Sequence, residues 1–396
     1  MKERKAKNAV LILFVLLALL QCGRKARQVE KTTENGVEVV INHFEPYLLP
    51  GVLSTLRLEE ILSIDTEKDE VLKTGMTSME WFRLDRDGNI YFMMRQSPEN
   101  FIYKFDASGK FLTSFGRKGQ GPGEFDWGGD ILVDEYDHII AKDMSREKFF
   151  VFDRSGVLLE EVKPDKNYSL VESLGNGKYL TYRQEMDPVE PVYRNHYYLS
   201  NASLSENHEL YAYESEDRMR TPRWRPQGHA FILGASAENI CFGDSSQGYE
   251  IFVFDFSGKL RRKIRKEFRP VAFPDDYKAM LKKVYARNPI GQELLKKADF
   301  PAYLPPFRYL FADNQGRLYV MTNEREGERS YWYDIFNAEG AFIGRFRLDN
   351  VQVTYSRGER YYDEPTDVVV RGDRLYCLRE KDSGFKILTI YKMIWS

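Results

Sequence analysis

Residues 103–125 read YKFDASGKFLTSFGRKGQGPGEF, and weaker forms of this stretch recur along the chain. Tyr103 and Phe105 flank a polar residue at the period of a β-strand, and a second alternating strand follows a few residues later. Between the two strands, Asp106 can hydrogen-bond its own turn backbone and Gly109 can adopt a positive φ without a clash. The stretch therefore predicts a strand, a tight turn, a second strand and a glycine-rich loop.

The same turn returns at residues 153–156 and 255–258, and Asn337 takes the aspartate position in a later copy. Six repeats of about two hairpins each can be delimited, and a period of this length is typical of propeller blades, which bury both faces when arranged radially. A strand within residues 52–64 has no partner of its own, while the sixth repeat lacks its last strand. We therefore predict an all-β fold, a six-bladed β-propeller over residues 51–396, in which the N-terminal strand closes the last blade.

One segment, at about residues 274–300, interrupts the repeats between the fourth and the fifth. Tyr277, Leu281 and Tyr285 belong to an apolar stripe with helical spacing, and Asp275 is a plausible N-cap. We predict a small helical insertion at one end of the propeller. It could pack on the blade ends, cover a ligand or partner, or contact a membrane.

The N-terminus has the pattern of an export signal. Basic residues precede an apolar run at residues 9–20, which is too short to span a bilayer as a helix. Cys22 follows directly and resembles the acylation site of bacterial lipoproteins, although Gln21 stands where those signals usually carry Gly, Ala or Ser. We predict a lipoprotein-type signal peptide over residues 1–21, lipidation of Cys22, and a flexible tether over residues 22–50. Simple secretion or an uncleaved anchor are the alternatives.

The repeated turn together with residues 115–125, FGRKGQGPGEF, resembles NHL-repeat proteins, in particular the six-bladed β-propeller lipoproteins of bacterial envelopes. The resemblance covers about residues 52–393 and is weakest in the third repeat. It implies the propeller fold and an exported, periplasmic or outer-membrane lipoprotein. It implies little about function, because such propellers include binding scaffolds, signalling modules and a few lyases.

The charge and the histidine content limit the function classes. The chain has 58 basic and 60 acidic residues, so there is no general electrostatic case for nucleic acid. Its 5 histidines are not paired at a ligand spacing, which disfavours zinc, whereas a calcium site of carboxylates stays open. We expect no cofactor, no metal site, no catalytic residues that the sequence can single out, and a monomer.

The glycine-rich loop is the first candidate contact region. It has neither of the known phosphate-binding spacings, and Pro122 removes a backbone donor. It is therefore either a rigid connection between blades or a contact surface at the mouth of the channel. In the second case the ligand- or partner-binding residues are Arg117, Lys118, Gln120 and Trp127.

The second candidate region is RMRTPRWR at residues 218–225, the densest basic and aromatic cluster of the chain. Guanidinium groups beside an indole could bind an acidic glycan, a phosphate or a peptide carboxylate, which makes Arg223, Trp224 and Arg225 the candidates. Alternatively, the arginines are solvated and Trp224 plugs a blade.

These features favour a non-catalytic, lipid-anchored scaffold of the cell envelope that binds a ligand or protein, with an unidentified envelope protein or glycan as its partner. The alternative is a propeller lyase or hydrolase with a metal or carboxylate site in the central channel. Whether the protein is an enzyme stays open at this point, with binding preferred.

Overall fold

The computed structural model describes residues 29–396 except residues 48, 52, 54, 205, 206, 227, 237, 327–329, 350–367 and 382. The strands form six sheets, five with four strands and one with six, and each sheet is one blade of a β-propeller. The predicted fold class, an all-β six-bladed propeller with a small helical insertion, is confirmed.

The strands are named β1 to β26 in chain order. Each blade contains a set of four, to which one blade adds two more. The first and second blades contain β4 Trp81–Leu84, β5 Ile90–Met93, β6 Asn100–Phe105, β7 Phe111–Arg117, β8 Gly128–Val133, β9 Ile139–Asp143, β10 Lys148–Phe152 and β11 Leu158–Val162. The third and fourth contain β12 Ser169–Gly175, β13 Lys178–Met186, β14 Val192–Asn201, β15 Asn207–Glu216, β16 Phe231–Ala235, β17 Asn239–Asp244, β18 Glu250–Asp255 and β19 Leu260–Lys266. The fifth and sixth contain β20 Phe307–Ala312, β21 Leu318–Arg325, β22 Ser330–Phe336, β23 Phe342–Asp349, β24 Val368–Arg371, β25 Arg374–Glu380, β26 Lys386–Trp395 and β3 Leu56–Asp65.

The first strand of each blade is the innermost, since β4 contacts β8, β8 contacts β12, and β20 contacts both β16 and β24. The last strand of each blade is therefore outermost. In the sixth blade this place is taken by β3, which pairs antiparallel with β26. The first residues of the propeller and the last residues of the chain thus share one sheet.

Short turns built on aspartate join strands within the blades. Between β6 and β7, Asp106 Oδ1 accepts hydrogen bonds from the backbone N–H groups of Ser108 at 2.9 Å and Lys110 at 3.0 Å. Gly109 adopts a φ of 83°, which a residue with a side chain rarely does. Equivalent aspartates bind the turns of the second and fourth blades. The predicted role of the repeated turn is confirmed.

The hydrophobic core is divided among the interfaces between blades. Six clusters of buried apolar side chains each combine residues from two neighbouring blades, including one cluster between the sixth and the first. In the first-to-second interface, the fully buried Phe125 ring lies 5.4 Å from the Phe101 ring and 4.9 Å from the Phe150 ring, centroid to centroid. The ring of blades is therefore closed both by this packing and by the hydrogen bonds between β26 and β3.

The prediction that residues 22–50 form a flexible tether is wrong for a large part of that segment. Strands β1 (Glu30–Glu34) and β2 (Val37–Asn42) form a hairpin, and β2 pairs in parallel with β19, which extends the fourth blade to six strands. The hairpin docks because Val39 and Val40 are fully buried against the blade. The sequence contained a signal, since an Asn-Gly pair between β-branched residues is a strong hairpin indicator.

Asn42, at the end of β2, joins the hairpin to the fifth blade. Its side-chain amide donates to the carbonyl oxygens of Arg265 at 3.1 Å and Gly340 at 3.0 Å, and its Oδ1 accepts from the backbone N–H of Phe342 at 2.7 Å. The Asn42 side chain is fully buried. One side chain thus satisfies backbone groups from two blades.

We expect Asn42→Ala to release the hairpin from the propeller. Buried backbone groups left without partners cost about 1–3 kcal/mol each, so the opening of β1 and β2 should become about tenfold more frequent or more. Hydrogen exchange measures this as loss of protection in residues 30–42 with little change in the six blades. Asn100→Ala, which removes an amide on β6, is the matched control and should leave the hairpin protected. Equal protection of the hairpin in wild type and Asn42→Ala would contradict the prediction.

The helices lie outside the blades. They are α1 Asp69–Leu72, α2 Asp275–Tyr285 and α3 Pro289–Lys296, with a short 3-10 helix at Ser245–Gln247. Asn288 is the N-cap of α3 and accepts a hydrogen bond from the Gly291 N–H at 2.8 Å. Asp275 is not the N-cap of α2, because Pro274 occupies that position. No helix within the described part of the chain is long and apolar enough to cross a membrane.

Candidate functional site

Three irregular segments lie at one end of the propeller. Residues 118–127, 217–230 and 267–306 each connect the outermost strand of one blade to the innermost strand of the next. Because every blade runs from the inside outward in the same order, all such connections meet at the same end. We call it the cap end, because residues 267–306 carry α2 and α3. Both candidate contact regions predicted from the sequence are therefore on this end, at different blade junctions.

The glycine-rich loop at the first-to-second junction wraps around a carboxylate of its own. Glu124 Oε2 accepts a hydrogen bond from the Gly121 N–H at 2.8 Å, and Glu124 Oε1 accepts one from Arg117 Nε at 2.5 Å. These two interactions hold the pKa of Glu124 below its usual value. A Cβ at Gly119 would collide with the same carboxylate. The place where an anion could bind is thus occupied by Glu124.

The predicted contact residues of this loop differ in exposure. Arg117, Lys118 and Gln120 are exposed, while Trp127 is half-buried. The loop is also anchored, because Phe125 enters the core between the first two blades. Its geometry fits a rigid connection between blades that leaves three polar side chains in solvent, and a contact role for them stays a prediction.

The arginine-rich segment at the third-to-fourth junction packs against the helical insertion. Trp224 is buried in a small core with Leu281, Tyr285 and Leu294, separate from the blade interfaces, and its ring meets that of Tyr285 edge-on at 4.9 Å. Backbone hydrogen bonds of 2.9 Å and 2.7 Å tie Trp224 to the residues that follow α3. Trp224 therefore holds the cap together and plugs no blade, so it offers little surface to a partner.

The two flanking arginines stay accessible. Arg223 Nη2 lies 2.7 Å and Arg225 Nε lies 3.4 Å from Asp299 Oδ2, and the two arginine side chains are 63% and 54% exposed. Arg225 also lines a cavity of about 320 Å³ between the cap and the blades, together with Arg218 and His229. The cap thus holds two guanidinium groups beside one carboxylate, and one of them, that of Arg225, lines a cavity.

An acidic residue at the base of this region is strongly paired. Asp244, at the end of β17, lies 2.7 Å from His229 Nε2 and accepts hydrogen bonds from the Ser246 N–H at 2.8 Å and the Tyr211 hydroxyl at 3.2 Å. Burial opposes its ionisation, but the hydrogen bonds from His229 and Ser246 outweigh burial and hold the pKa of Asp244 well below its usual range. Asp244 is therefore an ionised acceptor and a poor general acid.

The enzyme alternative concerns the innermost strands, which surround the central channel. Burial raises the pKa of Asp130 on β8. The charge of Lys142 and a hydrogen bond with Ser169 act to lower that pKa but do not outweigh burial. The Lys142 ammonium in turn donates to Asn167 Oδ1 at 2.7 Å. Among the residues that the structure describes, no three His, Cys, Asp or Glu side chains come together as a metal site would require.

A group of buried charges between the fourth and fifth blades was missed by the sequence analysis. Lys266 Nζ lies 3.5 Å from Asp334 Oδ2, Arg345 Nε lies 3.4 Å from Asp334 Oδ1, and the Tyr249 hydroxyl donates to Asp334 Oδ2 at 3.0 Å. Burial raises the pKa of Asp334 and lowers that of Lys266, and each charge opposes the shift of the other. The sequence around each of these residues gives no sign of the cluster, because they lie on different strands that only the fold brings together.

The six blades and their radial order define the protein as a six-bladed β-propeller. A family model described as a 6-bladed beta-propeller matches residues 54–222 of the chain. The chain has no match among the curated proteins.

Several solved structures resemble most of the chain at low identity. A "putative exported protein" from Bacteroides fragilis is 13% identical to this chain, with a TM-score of 0.49. The match covers 90% of this chain and 99% of that protein. A DUF4221 family member from Bacteroides vulgatus is 12% identical with a TM-score of 0.49, covering 87% and 100%. Virginiamycin B lyase from Staphylococcus aureus is 10% identical with a TM-score of 0.36, covering 86% and 100%. These values are too low to carry an activity or a partner over to this chain.

Proposed function

We propose that this protein is a non-catalytic binding scaffold of the bacterial cell envelope, an NHL-type propeller lipoprotein that is exported and anchored by a lipid on Cys22. Its partner is an envelope protein or glycan that docks on the cap end. The export and lipid parts rest on the basic residues, the apolar run and Cys22 at the N-terminus, which lie outside the described residues. The protein acts as a monomer, without nucleic acid or cofactor.

The observation that supports a binding role is the fixed pair of exposed arginines. Arg223 and Arg225 share one carboxylate, Asp299, and the segment that carries them is held on both sides of Trp224 by backbone hydrogen bonds to the cap. Guanidinium groups whose position is fixed lose less freedom on binding a carboxylate or phosphate than mobile ones do. An acidic group on the partner is therefore the feature that this end of the propeller would recognise.

The test is capture of envelope components by the purified protein and by the double variant Arg223→Ala, Arg225→Ala. Loss of charge-assisted hydrogen bonds of about 1.5–3 kcal/mol should weaken capture of the partner tenfold or more. Stability should change by less than about 1 kcal/mol, because exposed ion pairs contribute little.

The matched control is Arg261→Ala, which removes a 54% exposed arginine paired with Asp255 at the opposite end of the propeller. A component that the control retains and the double variant loses supports the proposal. If every captured component depends equally on Arg261, or none depends on the cap arginines, the cap end is not the docking surface. In the same strains, Cys22→Ser should move the protein from the membrane fraction to the soluble fraction if the lipid anchors it.

A further inference from the structure

A second cavity lies away from the cap arginines, between the fourth and fifth blades, and its volume is about 260 Å³. The segment at residues 44–46, which follows the N-terminal hairpin, forms one side of its rim. Pockets for drug-sized ligands have about 300–1,000 Å³, so this one has room for a small molecule or a single unit of a longer one. Five of its lining residues belong to the 267–306 segment of the cap end, but it shares no lining residue with the cavity beside the cap arginines.

The charged side chains of the cavity have part of their hydrogen-bonding capacity unfilled. Asp334 is 1% exposed, and its Oδ1, which lies 3.4 Å from Arg345 Nε, accepts no hydrogen bond within the described part of the chain. The equally buried Lys266 ammonium has three protons and donates one of them to the carbonyl oxygen of Glu267 at 3.0 Å. Buried groups of this kind normally bind a partner, so the cavity is suited to a ligand with several polar groups.

The charges around the cavity balance. Three basic side chains line it, Lys266, Arg269 and Arg345, and so do three acidic ones, Glu45, Glu324 and Asp334. Arg345 Nη2 lies 2.8 Å from Glu324 Oε1, and Lys266 Nζ lies 3.5 Å from Asp334 Oδ2. A ligand with a net charge would leave the side chains of one sign without a partner. A zwitterion would have to separate the ion pairs Lys266–Asp334 and Arg345–Glu324. Hydroxyl groups fit better, because each donates one hydrogen bond and accepts others, and can join a carboxylate to an ammonium or guanidinium group.

Part of the cavity lining is aromatic. Phe44, Tyr249 and Phe268 line it, together with Phe342, whose ring face lies 4.5 Å from the Lys266 ammonium. Flat apolar rings beside hydrogen-bond donors and acceptors match a ring that has C–H faces and a rim of hydroxyl groups. A sugar ring has this distribution of polar and apolar surface, whereas a linear polyol or an amino acid does not.

We propose that this cavity binds one neutral sugar ring, either as a free monosaccharide or as the terminal unit of a glycan. Its hydroxyl groups would donate to Asp334 and Glu324 and accept from Lys266 and Arg345. Its C–H face would pack on the aromatic part of the lining. The sugar site does not include the cap arginines, so sugar binding here does not depend on whether those arginines bind a partner.

The test is ligand-observed NMR with D-glucose, D-galactose, D-mannose and N-acetyl-D-glucosamine, each as the free sugar and as its methyl glycoside. At least one neutral sugar should bind in the millimolar range, as expected for one small ring. Binding of the methyl glycoside indicates the end of a glycan, and binding of the free sugar alone indicates a monosaccharide. Glucuronate and glycine, as anionic and zwitterionic probes, should bind at least tenfold more weakly.

Two variants locate the binding. Glu324→Gln removes a rim carboxylate and should weaken sugar binding about tenfold, because hydrogen bonds to charged groups are the stronger ones. The control Glu326→Gln makes the same change two residues further on, at a carboxylate paired with Arg347 at 2.8 Å outside the cavity, and should bind as wild type does. Asp334→Asn should abolish binding in protein whose circular dichroism matches wild type. The proposal fails if no neutral sugar binds, if the charged probes bind more tightly, or if Glu324→Gln binds as wild type does.

Discussion

Trp224→Ala is expected to unfold the cap while the six blades stay folded. Truncation of a buried tryptophan costs about 3–5 kcal/mol, and the cap has a core of only four buried apolar residues, so this loss is large relative to what holds the cap together. The blade interfaces have their own cores, which do not include Trp224. Local unfolding of one unit is the expected outcome when its stabilising contacts are separate from the rest.

Hydrogen exchange resolved by segment is the measurement. Residues 275–296 should lose their protection in Trp224→Ala, while protection in the blades should change little. Trp127→Ala, the same substitution in a half-buried tryptophan at another junction, should leave α2 and α3 protected. Protected cap helices in Trp224→Ala would show that the indole contributes little to the cap, and blade unfolding would show that the cap and the propeller are one cooperative unit.

Because Trp224 supports the cap, substitutions of Trp224 and of the cap arginines test different things in a binding experiment. The sequence suggested that Trp224 could be a contact residue, whereas its burial against Tyr285 makes it a supporting residue. A loss of partner binding in Trp224→Ala would follow from a displaced arginine segment. The arginines themselves are therefore the informative substitutions.

Asp334→Ala should lower the free energy of unfolding by about 3–5 kcal/mol, because it leaves the buried Lys266 ammonium without its carboxylate. Arg345 is less affected, since it is 29% exposed and also pairs with Glu324. Urea unfolding at neutral pH measures the loss. Because the cluster joins the fourth blade to the fifth, this interface should also lose hydrogen-exchange protection.

The double variant Lys266→Met, Asp334→Leu is the matched control. Replacing both members of a buried ion pair by apolar residues of similar size is often neutral or stabilising, so most of the lost stability should return. If the double variant is as unstable as Asp334→Ala, the cost lies in packing or in Tyr249, whose hydroxyl donates to Asp334. If Asp334→Ala itself costs under about 1 kcal/mol, the cluster is better hydrated than its burial indicates.

The propeller could be predicted because its information is local and repeated. The Asp-x-x-Gly turn uses groups within five residues of one another, as at Asp106 and Lys110, and its copies at Asp153 and Asp255, with a variant at Asn337, reinforce the same interpretation. The N-terminal hairpin was missed although Asn35 and Gly36 adopt the positive φ angles that an Asn-Gly turn favours. It was overlooked because its first strand, β1, is polar, and because β19, the partner of its second strand, lies more than 200 residues further along the chain.

The candidate sites could be predicted only in part, for the same physical reason. A cluster of arginines is visible in a sequence, but its support is not, since Trp224 meets Tyr285 through the packing of an insertion that has its own small core. Lys266 and Asp334 belong to different blades and to unremarkable strands. The shape of a cavity between blades depends on the angle between two sheets, and this angle cannot be predicted from the spacing of residues in the sequence.

If Cys22 carries a lipid, the docked hairpin limits how far the protein can lie from the membrane. With β1 fixed from Glu30 onward, residues 23–29 are all that separates a lipid on Cys22 from the fold. Fully extended, such a segment reaches about 25 Å at most. A chain of this length has a radius of gyration of roughly 20 Å, so the reach is about half the width of the domain. A lipidated form would therefore stay close to its own bilayer, and a partner bound to the opposite membrane would have to come to it.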